Sequence, residues 1–224
     1  MRPGAWQWQA QPLGFHLRRV CNLGAWCVLE EHRFRGIRLL RALLAQPGYV
    51  FTDLSPSGNV IALNTRLGFS TLDTATAVIA NLPLPSRGVE VVSRPARIRA
   101  VLNGVDLHTY LDHADDPAAR HLVLRQGGVS CYVMFRKDRR KDLPIFASLL
   151  HVSDPALLRE SFSALRRHLL VRHGLPVTLA EIRLIGAPPR MSRVLASHRT
   201  KMYRGDVAPD HIDSLYSELT RVAW

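Results

Sequence analysis

The chain has 224 residues, a length typical of one large domain or two small ones. Hydrophobic residues make up 47% of it and charged residues 21%, a composition that argues against disorder and against a fibrous repeat. No run of about 18 uncharged apolar residues is present, and the N-terminus lacks the apolar core of a secretory signal. We therefore expect a cytoplasmic protein without a membrane partner.

The cysteines are few and odd in number. Cys21, Cys27 and Cys131 show no Cys-x-x-Cys spacing and no paired His/Cys pattern. Sparse cysteines of this kind are typical of reduced thiols packed in a core. We expect free thiols and no bound metal.

The net charge of +12 is compatible with a polyanion such as RNA. Two features weaken that interpretation. Only three of the 30 basic residues are lysines, and the positive charge is spread along the whole chain. The densest run, residues 136–142, includes acidic residues as well and predicts a solvated loop. Nucleic acid is therefore the less favoured partner.

The predicted elements of the first part alternate between strands and helices. The apolar stretch 20–29 predicts a buried strand, and the Leu40 and Leu44 spacing predicts a helix that Pro47 ends. The remaining elements are a strand at 49–54, a helix opened by Asn59 and closed by Gly68, a strand at 69–80 and a connector at 81–97.

The second part repeats that order behind an additional helix and hairpin. Gln126-Gly127-Gly128 is a strong hairpin signal, and Asp154-Pro155 is typical of a helix start. The predicted elements are a helix near 99–112, strands at 121–125, 129–135 and 145–152, a helix ending at Gly174, a strand at 176–185, a short helix after Pro188 and a strand at 198–204. This alternation indicates a mixed α/β sheet and two domains, 1–97 and 98–224.

The most informative stretch is residues 26–40. A buried strand is predicted to pass into a basic turn and then into a helix that begins near Gly36. Such a turn points successive backbone N–H groups at one spot beside the positive end of the helix, which suits a pyrophosphate. Arg33, Arg35 and Arg38 add positive charge. A solvated, arginine-rich helix start is the alternative interpretation.

Two motifs in this first part resemble those of the GNAT acyltransferases, which use acyl-CoA. Residues 33–38 resemble the family's Arg/Gln-x-x-Gly-x-Gly/Ala loop, with Arg38 in place of the small residue. Residues 59–69 resemble the helix that carries Asn-x-x-Ala and ends in Leu-Gly-Phe. The resemblance covers residues 18–80 and implies a GNAT-like α/β fold, a central mixed sheet flanked by helices. The first part of the chain resembles a GNAT-like copy that lacks the family's opening strand and helices, and the second part resembles a degenerate copy by element order.

The resemblance implies an acyltransferase that moves an acyl group, acetyl in the simplest case, from acyl-CoA to an amine within a ternary complex. In the family, backbone amides of the strand polarise the thioester and the loop holds the pyrophosphate. The implied cofactor-binding residues are Val28, Leu29, Arg33, Phe34, Arg35, Gly36, Ile37, Arg38 and Asn59. Asn59 has a helix cap as its alternative role.

One departure from the family keeps a second function open. Asn64 stands where the family often has a tyrosine that protonates the CoA thiolate, and an amide cannot act as a general acid. No catalytic residue is therefore assigned. The alternative is a non-catalytic module that binds CoA, a protein or RNA. An uncovered sheet edge left by the missing opening elements could pair with a second copy.

The second part is predicted to lack a working pyrophosphate loop. Asp154 lies at its strand-to-helix junction, where an anion would have to bind. A carboxylate there caps the helix and repels phosphate.

Overall fold

The computed structural model describes residues 8–13, 16–24, 29–140, 143–196 and 199–222. The chain forms two compact units. Unit 1 comprises Met1–Asp73 and Arg199–Ile212, and unit 2 comprises Thr74–His198 and Asp213–Trp224. The chain thus leaves unit 1 after Asp73 and later contributes a second segment to it.

Strands and short helices alternate along much of the chain. The strands are β1 (Trp8–Leu13), β2 (His16–Asn22), β3 (Tyr49–Asp53), β4 (Ser70–Thr71), β5 (Thr76–Ala80), β6 (Glu90–Val92), β7 (Ala119–Gln126), β8 (Val129–Arg140), β9 (Leu143–Val152), β10 (Val177–Glu181), β11 (Ser192–Leu195) and β12 (Met202–Arg204). The α-helices are α1 (Arg33–Leu44), α2 (Gly58–Arg66), α3 (Pro95–Val101), α4 (Gly104–His113), α5 (Pro155–Glu160), α6 (Phe162–His173), α7 (Ile182–Ile185) and α8 (Glu218–Arg221), and 3₁₀ turns cover Glu30–His32 and Pro209–His211.

Unit 1 is built on a five-stranded sheet with the order β1-β2-β3-β12-β4. β2 and β3 are parallel, and helix α1 forms the crossover between them. β12 is antiparallel to both β3 and β4. The apolar face of α1 packs against the sheet in one core, because Leu40, Leu43 and Leu44 recur at helical spacing on one side of the helix. That core contains Cys21, Leu40, Leu43, Leu44, Phe51, Phe69 and Met202.

Unit 2 is built on a seven-stranded sheet with the order β11-β5-β10-β9-β8-β7-β6. β9 and β10 are parallel, and the other neighbouring strands are antiparallel. Helices α5 and α6 form the crossover between β9 and β10. The core joins alternate strand residues to one face of these helices, with Leu122, Val133, Phe135, Leu158, Leu165 and Leu169 among its members.

The division into units does not coincide with the boundary at residue 97 that the sequence predicts. β5 follows β4 closely in sequence, yet it lies between β10 and β11 in the sheet of unit 2. β12, near the end of the chain, lies in the sheet of unit 1. Each sheet therefore includes a strand from a distant part of the sequence. The assignment of residues 1–97 and 98–224 as two GNAT-like domains stays a prediction.

The beginning of unit 1 differs from the predicted elements. β2 ends at Asn22 rather than continuing to residue 29, because the chain turns there and the Gly24 amide donates to the Asn22 carbonyl over 3.2 Å. Leu29 is 67% exposed and does not belong to a strand. The prediction also missed β1, which pairs with β2 as an antiparallel hairpin.

The charged run that begins at residue 136 is strand rather than solvated loop up to Arg140. Arg136 and Asp138 are both 2% exposed and form an ion pair of 3.5 Å. Arg136 also donates to the Leu219 carbonyl over 3.2 Å. The loop prediction was wrong because these two charges are compensated by each other and by the backbone.

Other predicted elements of unit 2 are divided in the structure. The helix near 99–112 is two helices, α3 and α4, separated at Leu102–Asn103, and the connector at 81–97 contains β6 and the start of α3. The predicted helix after Asp154 is interrupted at Ser161. The strand at 176–185 is β10 followed by α7, and β11 follows where a short helix was expected. The predicted hairpin at 126–128 is confirmed by β7 and β8.

Candidate functional site

The predicted anion-binding segment lies at the start of helix α1. Residues 33–38 form its first turns rather than a loop before it, and the 3₁₀ turn Glu30–His32 leads into the helix. The His32 amide donates to the Leu29 carbonyl over 2.9 Å. The helix thus begins three residues before Gly36, because the 3₁₀ turn already carries helical backbone geometry into it.

The start of α1 has no side-chain cap. His32 occupies the N-cap position with φ −115° and ψ 7°, and its side chain makes no capping hydrogen bond. The first amides of an α-helix have no partner within the helix. The 3₁₀ turn supplies carbonyl partners for some of these amides in α1, and no side chain holds the others. An external acceptor can approach the others, and the helix dipole favours an anion there.

Charges of both signs surround this helix start. Arg35 and Arg38 are exposed, and so are Glu30 and Glu31 in the 3₁₀ turn. The two carboxylates offset part of the positive charge that the sequence predicts. Gly36 is buried within the first turns of the helix.

The other predicted ligand residues have mixed positions. Ile37 is 36% exposed and Leu29 is more exposed still, so neither belongs to the core. Val28 lies outside the described residues. Arg33 and Phe34 are helical, and their side chains lie outside the described part of the structure.

Asn59 is an exposed residue in the first turn of α2, which begins at Gly58. Ser57 occupies the N-cap position with an extended backbone, φ −71° and ψ 158°. The predicted capping role of Asn59 is therefore wrong, since the helix starts two residues earlier than expected. Its role toward a ligand stays a prediction.

Asn64 is a structural residue at the end of α2. It is 1% exposed, and its Nδ2 donates to Oδ2 of the buried Asp53 over 2.8 Å. Its backbone carbonyl accepts hydrogen bonds from the Leu67 and Phe69 amides, both at 3.0 Å. This network ties the end of α2 to the end of β3. The position at which the sequence resemblance implies a general acid is thus occupied by a buried amide.

In unit 2, the junction between β9 and α5 is capped by the side chain of Asp154. Oδ1 of Asp154 accepts hydrogen bonds from the Ala156 and Leu157 amides, both at 2.9 Å, and Pro155 is the first helical residue. The predicted cap is confirmed. A phosphate at this junction would meet a carboxylate that already holds the amides.

The two cysteines in the described part of the chain are free and buried. Burial raises the pKa of Cys21 to about 11 and that of Cys131 to about 12. A thiol with a raised pKa is a weak nucleophile at neutral pH. Cys27 lies outside the described residues.

Sequence patterns did not reveal a partly buried cluster of histidines and tyrosines in unit 2. Nδ1 of His121 is 2.8 Å from the Tyr132 hydroxyl, and Nδ1 of His151 is 3.3 Å from Oδ2 of Asp213. Burial is the main cause that lowers the pKa of His121 to about 4. These residues come from separate strands and from the end of the chain. No sequence spacing links them, and they are brought together by strand pairing and by the packing of the C-terminal segment.

Two further searches concern metals and membranes. Within residues 8–222, as far as they are described, no group of three or more His, Cys, Asp or Glu side chains could hold a metal ion. In the same part of the chain, no helix has the length and apolar character that crossing a membrane requires.

The chain was compared with known families and proteins. No family model matches it, and no curated protein does. Among solved structures, a GCN5-related N-acetyltransferase from Anabaena variabilis is 12% identical, with a TM-score of 0.51 over 84% of this chain and 55% of that protein. This chain therefore spans about half the length of the Anabaena protein.

Two other solved structures are similar at lower TM-scores. A GCN5-related N-acetyltransferase from Kribbella flavida is 10% identical, with a TM-score of 0.44. The similarity covers 84% of this chain and 80% of that protein. Eis1 from Mycobacterium abscessus is 21% identical, also with a TM-score of 0.44. The similarity covers 89% of this chain and 59% of that protein. The mixed sheets flanked by helices and the Anabaena match together show that the chain has the fold of the GCN5-related N-acetyltransferase (GNAT) superfamily.

Proposed function

We propose that this protein transfers an acyl group, acetyl in the simplest case, from acyl-CoA to an amine acceptor. The acyltransferase-type fold supports the reaction class. The observation that carries the proposal is the start of α1, where no side chain caps the helix and Arg35 and Arg38 are exposed. No side chain caps the junction between β2 and α1, whereas Asp154 caps the junction between β9 and α5.

Acyl-CoA would bind with its pyrophosphate at the first-turn amides of α1. The helix dipole and the two guanidinium groups stabilise the negative charge, and the Glu31 carboxylate opposes it. Binding of both substrates in one complex replaces a bimolecular encounter by an oriented one. The amine nitrogen attacks the thioester carbonyl, the C–S bond breaks, and the CoA thiolate leaves.

The proton balance of this reaction does not involve Asn64. The attacking amine loses a proton and the thiolate gains one, and a buried amide can neither supply nor accept a proton at neutral pH. Cys21 and Cys131 are buried thiols, so no acyl-enzyme on either of them is part of the proposal. Direct transfer, with water carrying the protons, is the mechanism proposed.

A second candidate function follows from the same residue. Because Asn64 is buried and holds Asp53, the chain has the position of the family's acid without its chemistry. A module that binds CoA without catalysis, or one that binds a protein or RNA, is the alternative. We place either function in the cytoplasm, since the two described cysteines are free thiols. Pairing with a second copy is part of neither proposal.

The test combines calorimetry with a thiol-release assay. The wild-type protein is titrated with acetyl-CoA and CoA, and CoA release is then followed with a panel of primary amines. His32→Asp places a carboxylate beside the uncapped amides. Because the His32 backbone is not extended as that of Asp154 is, this carboxylate acts chiefly through its charge. We expect CoA affinity to fall about tenfold or more, as for loss of a charge-assisted contact.

His211→Asp is the matched control, because His211 is an exposed histidine on another element of unit 1. It should leave CoA affinity within about twofold, as for a distant exposed charge. Equal losses in both variants, or an unchanged affinity in His32→Asp, would contradict the α1 site. Binding without CoA release would favour the CoA-binding module. The absence of CoA binding would contradict both the transferase and the CoA-binding module, and would leave a module that binds a protein or RNA.

A further inference from the structure

Unit 2 contains a cavity of about 360 Å³ that the acyltransferase proposal does not use. Its wall is formed by the start of α3, the end of α4, the start of β7 and the carboxyl end of α6. Binding sites for small molecules have volumes of roughly 300–1,000 Å³. The cavity is thus large enough for a compact organic molecule.

The polar side of this cavity is positively charged. Arg120 and Arg172 line it together with His121 and His173, and no carboxylate is among the lining residues. Nη1 of Arg120 donates to the Ala119 carbonyl over 2.7 Å, which positions that guanidinium. Within the described residues, the side chain of Arg172 forms no ion pair or hydrogen bond.

The surroundings of His173 report the same positive field. Burial lowers the pKa of this histidine, and Lys137, Arg120 and Arg172 lower it further through their charges. Three cations near one imidazole indicate a concentrated positive potential. An anion bound beside them would relieve it.

The other side of the cavity is apolar. Ile98 and Tyr110 are 1% and 3% exposed, and both line the cavity beside two alanines. A cavity with an apolar wall and converging cationic groups fits a ligand with an apolar body and one anionic group. Guanidinium groups bind carboxylate and phosphate in a two-pronged geometry.

The end of α6 does not need these side chains as caps. Gly174 adopts a left-handed conformation, φ 66°, and its amide donates to the Leu170 carbonyl over 3.0 Å. The Leu175 amide donates to the Leu169 carbonyl over 3.1 Å. Because backbone amides satisfy these carbonyls, Arg172 and His173 are available to a ligand.

We propose that this cavity is a binding site for a small organic anion, a carboxylate or phosphate ester on a compact apolar body. Arg172 and Arg120 contact the anionic group, and Ile98 and Tyr110 contact the apolar body. The site lies wholly within unit 2. It does not depend on CoA binding at α1, so failure of one proposal leaves the other standing.

The test uses the full chain and three probes: benzoate, phenyl phosphate and inorganic phosphate. Binding is measured by calorimetry, and the imidazole signals of His173 are followed by NMR. We expect benzoate or phenyl phosphate to bind and to raise the pKa of His173. Inorganic phosphate should bind at least about tenfold more weakly, since it cannot bury apolar surface.

Two variants separate the site from general attraction of anions. Arg172→Gln removes a lining charge and should weaken the preferred probe about tenfold or more. Arg167→Gln is its matched control, because Arg167 is an exposed arginine of the same helix that does not line the cavity. Ala114→Leu fills the cavity without a change of charge and should abolish binding of both aromatic probes.

The result that distinguishes the ligand classes is the ratio of benzoate to phenyl phosphate affinity. Tighter benzoate binding supports a carboxylate ligand, and tighter phenyl phosphate binding supports a phosphate ester. Failure of both to bind at about 1 mM would overturn the proposal. So would equal losses in Arg172→Gln and Arg167→Gln, or unchanged binding in Ala114→Leu.

Discussion

We expect two partly buried histidines to make the stability of unit 2 sensitive to acid. His168 is a partly buried residue of α6 whose ring contacts that of His173. Burial lowers the pKa of His168 to about 4, and the nearby His173 and Arg172 add to the effect. The pKa of His121 is also lowered to about 4, again mainly by burial. The folded protein therefore holds both rings neutral at a pH where the unfolded chain protonates them.

The sign of the resulting pH dependence follows from the proton balance. With an unfolded pKa of 6.5 and a folded pKa of about 4, the unfolded state binds more protons throughout this window. The free energy of unfolding is therefore expected to be highest above pH 6.5 and to fall as the pH decreases toward 4. Urea unfolding across that window measures it.

His168→Gln should make this pH dependence shallower, because one of the histidines with a lowered pKa is removed. His108→Gln is the control, since the His108 side chain is 79% exposed. If both variants retained the slope of the wild type, His168 would not be a source of the acid sensitivity.

Individual site residues could be predicted from sequence only where their signal is local. A helix after the basic segment 33–38 could be predicted, because charge and helix spacing are both readable along the chain, but the helix begins at Arg33 rather than near Gly36. The hydrogen bond between Asn64 and Asp53 was not predictable, since it joins a helix to a strand. The cluster around His121 and Tyr132 depends on strand register, which no short motif encodes.

At the scale of elements, the helix starts show how one residue changes the use of a junction. Asp154 holds two amides of α5, whereas His32 holds none at α1. The Asp-Pro signal was sufficient to predict the first, because capping is a local interaction. The strand predicted at 20–29 was too long, since an apolar run does not reveal where the backbone turns away from the sheet.

The cap at α5 is expected to contribute to stability. Asp154→Ala removes the acceptor of two backbone amides and should lower the free energy of unfolding by about 0.5–2 kcal/mol. Asp154→Asn keeps an acceptor oxygen and should retain most of that contribution. Urea unfolding near neutral pH measures both variants. An equal loss in the two would mean that the charge, rather than the hydrogen bonds, is what stabilises the helix.

At the scale of the whole molecule, the two sheets include strands that lie far apart in sequence. β12 pairs with β3 and β4 in unit 1, and β5 pairs with β10 and β11 in unit 2. Sequence analysis correctly predicted the alternation of strands and helices and the mixed sheet. The sheet membership of β5 and β12 was not predictable, because short strands have no periodicity that selects their neighbours.

Gly205 is the residue at which this arrangement can be tested. Its φ is +135°, and a Cβ there would lie 3.2 Å from Cα of Val50 and 3.3 Å from the Tyr49 carbonyl oxygen. An alanine would therefore strain the backbone and press directly on β3. Gly48 is the matched control in the same unit, because its φ is +79° and a Cβ would meet nothing within 4 Å.

We expect Gly205→Ala to loosen unit 1 and leave unit 2 unchanged. Gly48→Ala should lower the free energy of unfolding by about 1–2 kcal/mol, because alanine disfavours the left-handed conformation. Gly205→Ala should lower it by more, because the clash adds to the strain. Hydrogen exchange measured peptide by peptide should then be faster in residues 49–53 and 202–204 together, by about tenfold for each 1.4 kcal/mol lost. Residues 76–80 should exchange at the wild-type rate, as residues 177–181 should, since β5 pairs with β10. If residues 76–80 were instead accelerated along with 49–53, the strand would belong energetically to the first part of the chain, as a domain boundary at residue 97 requires.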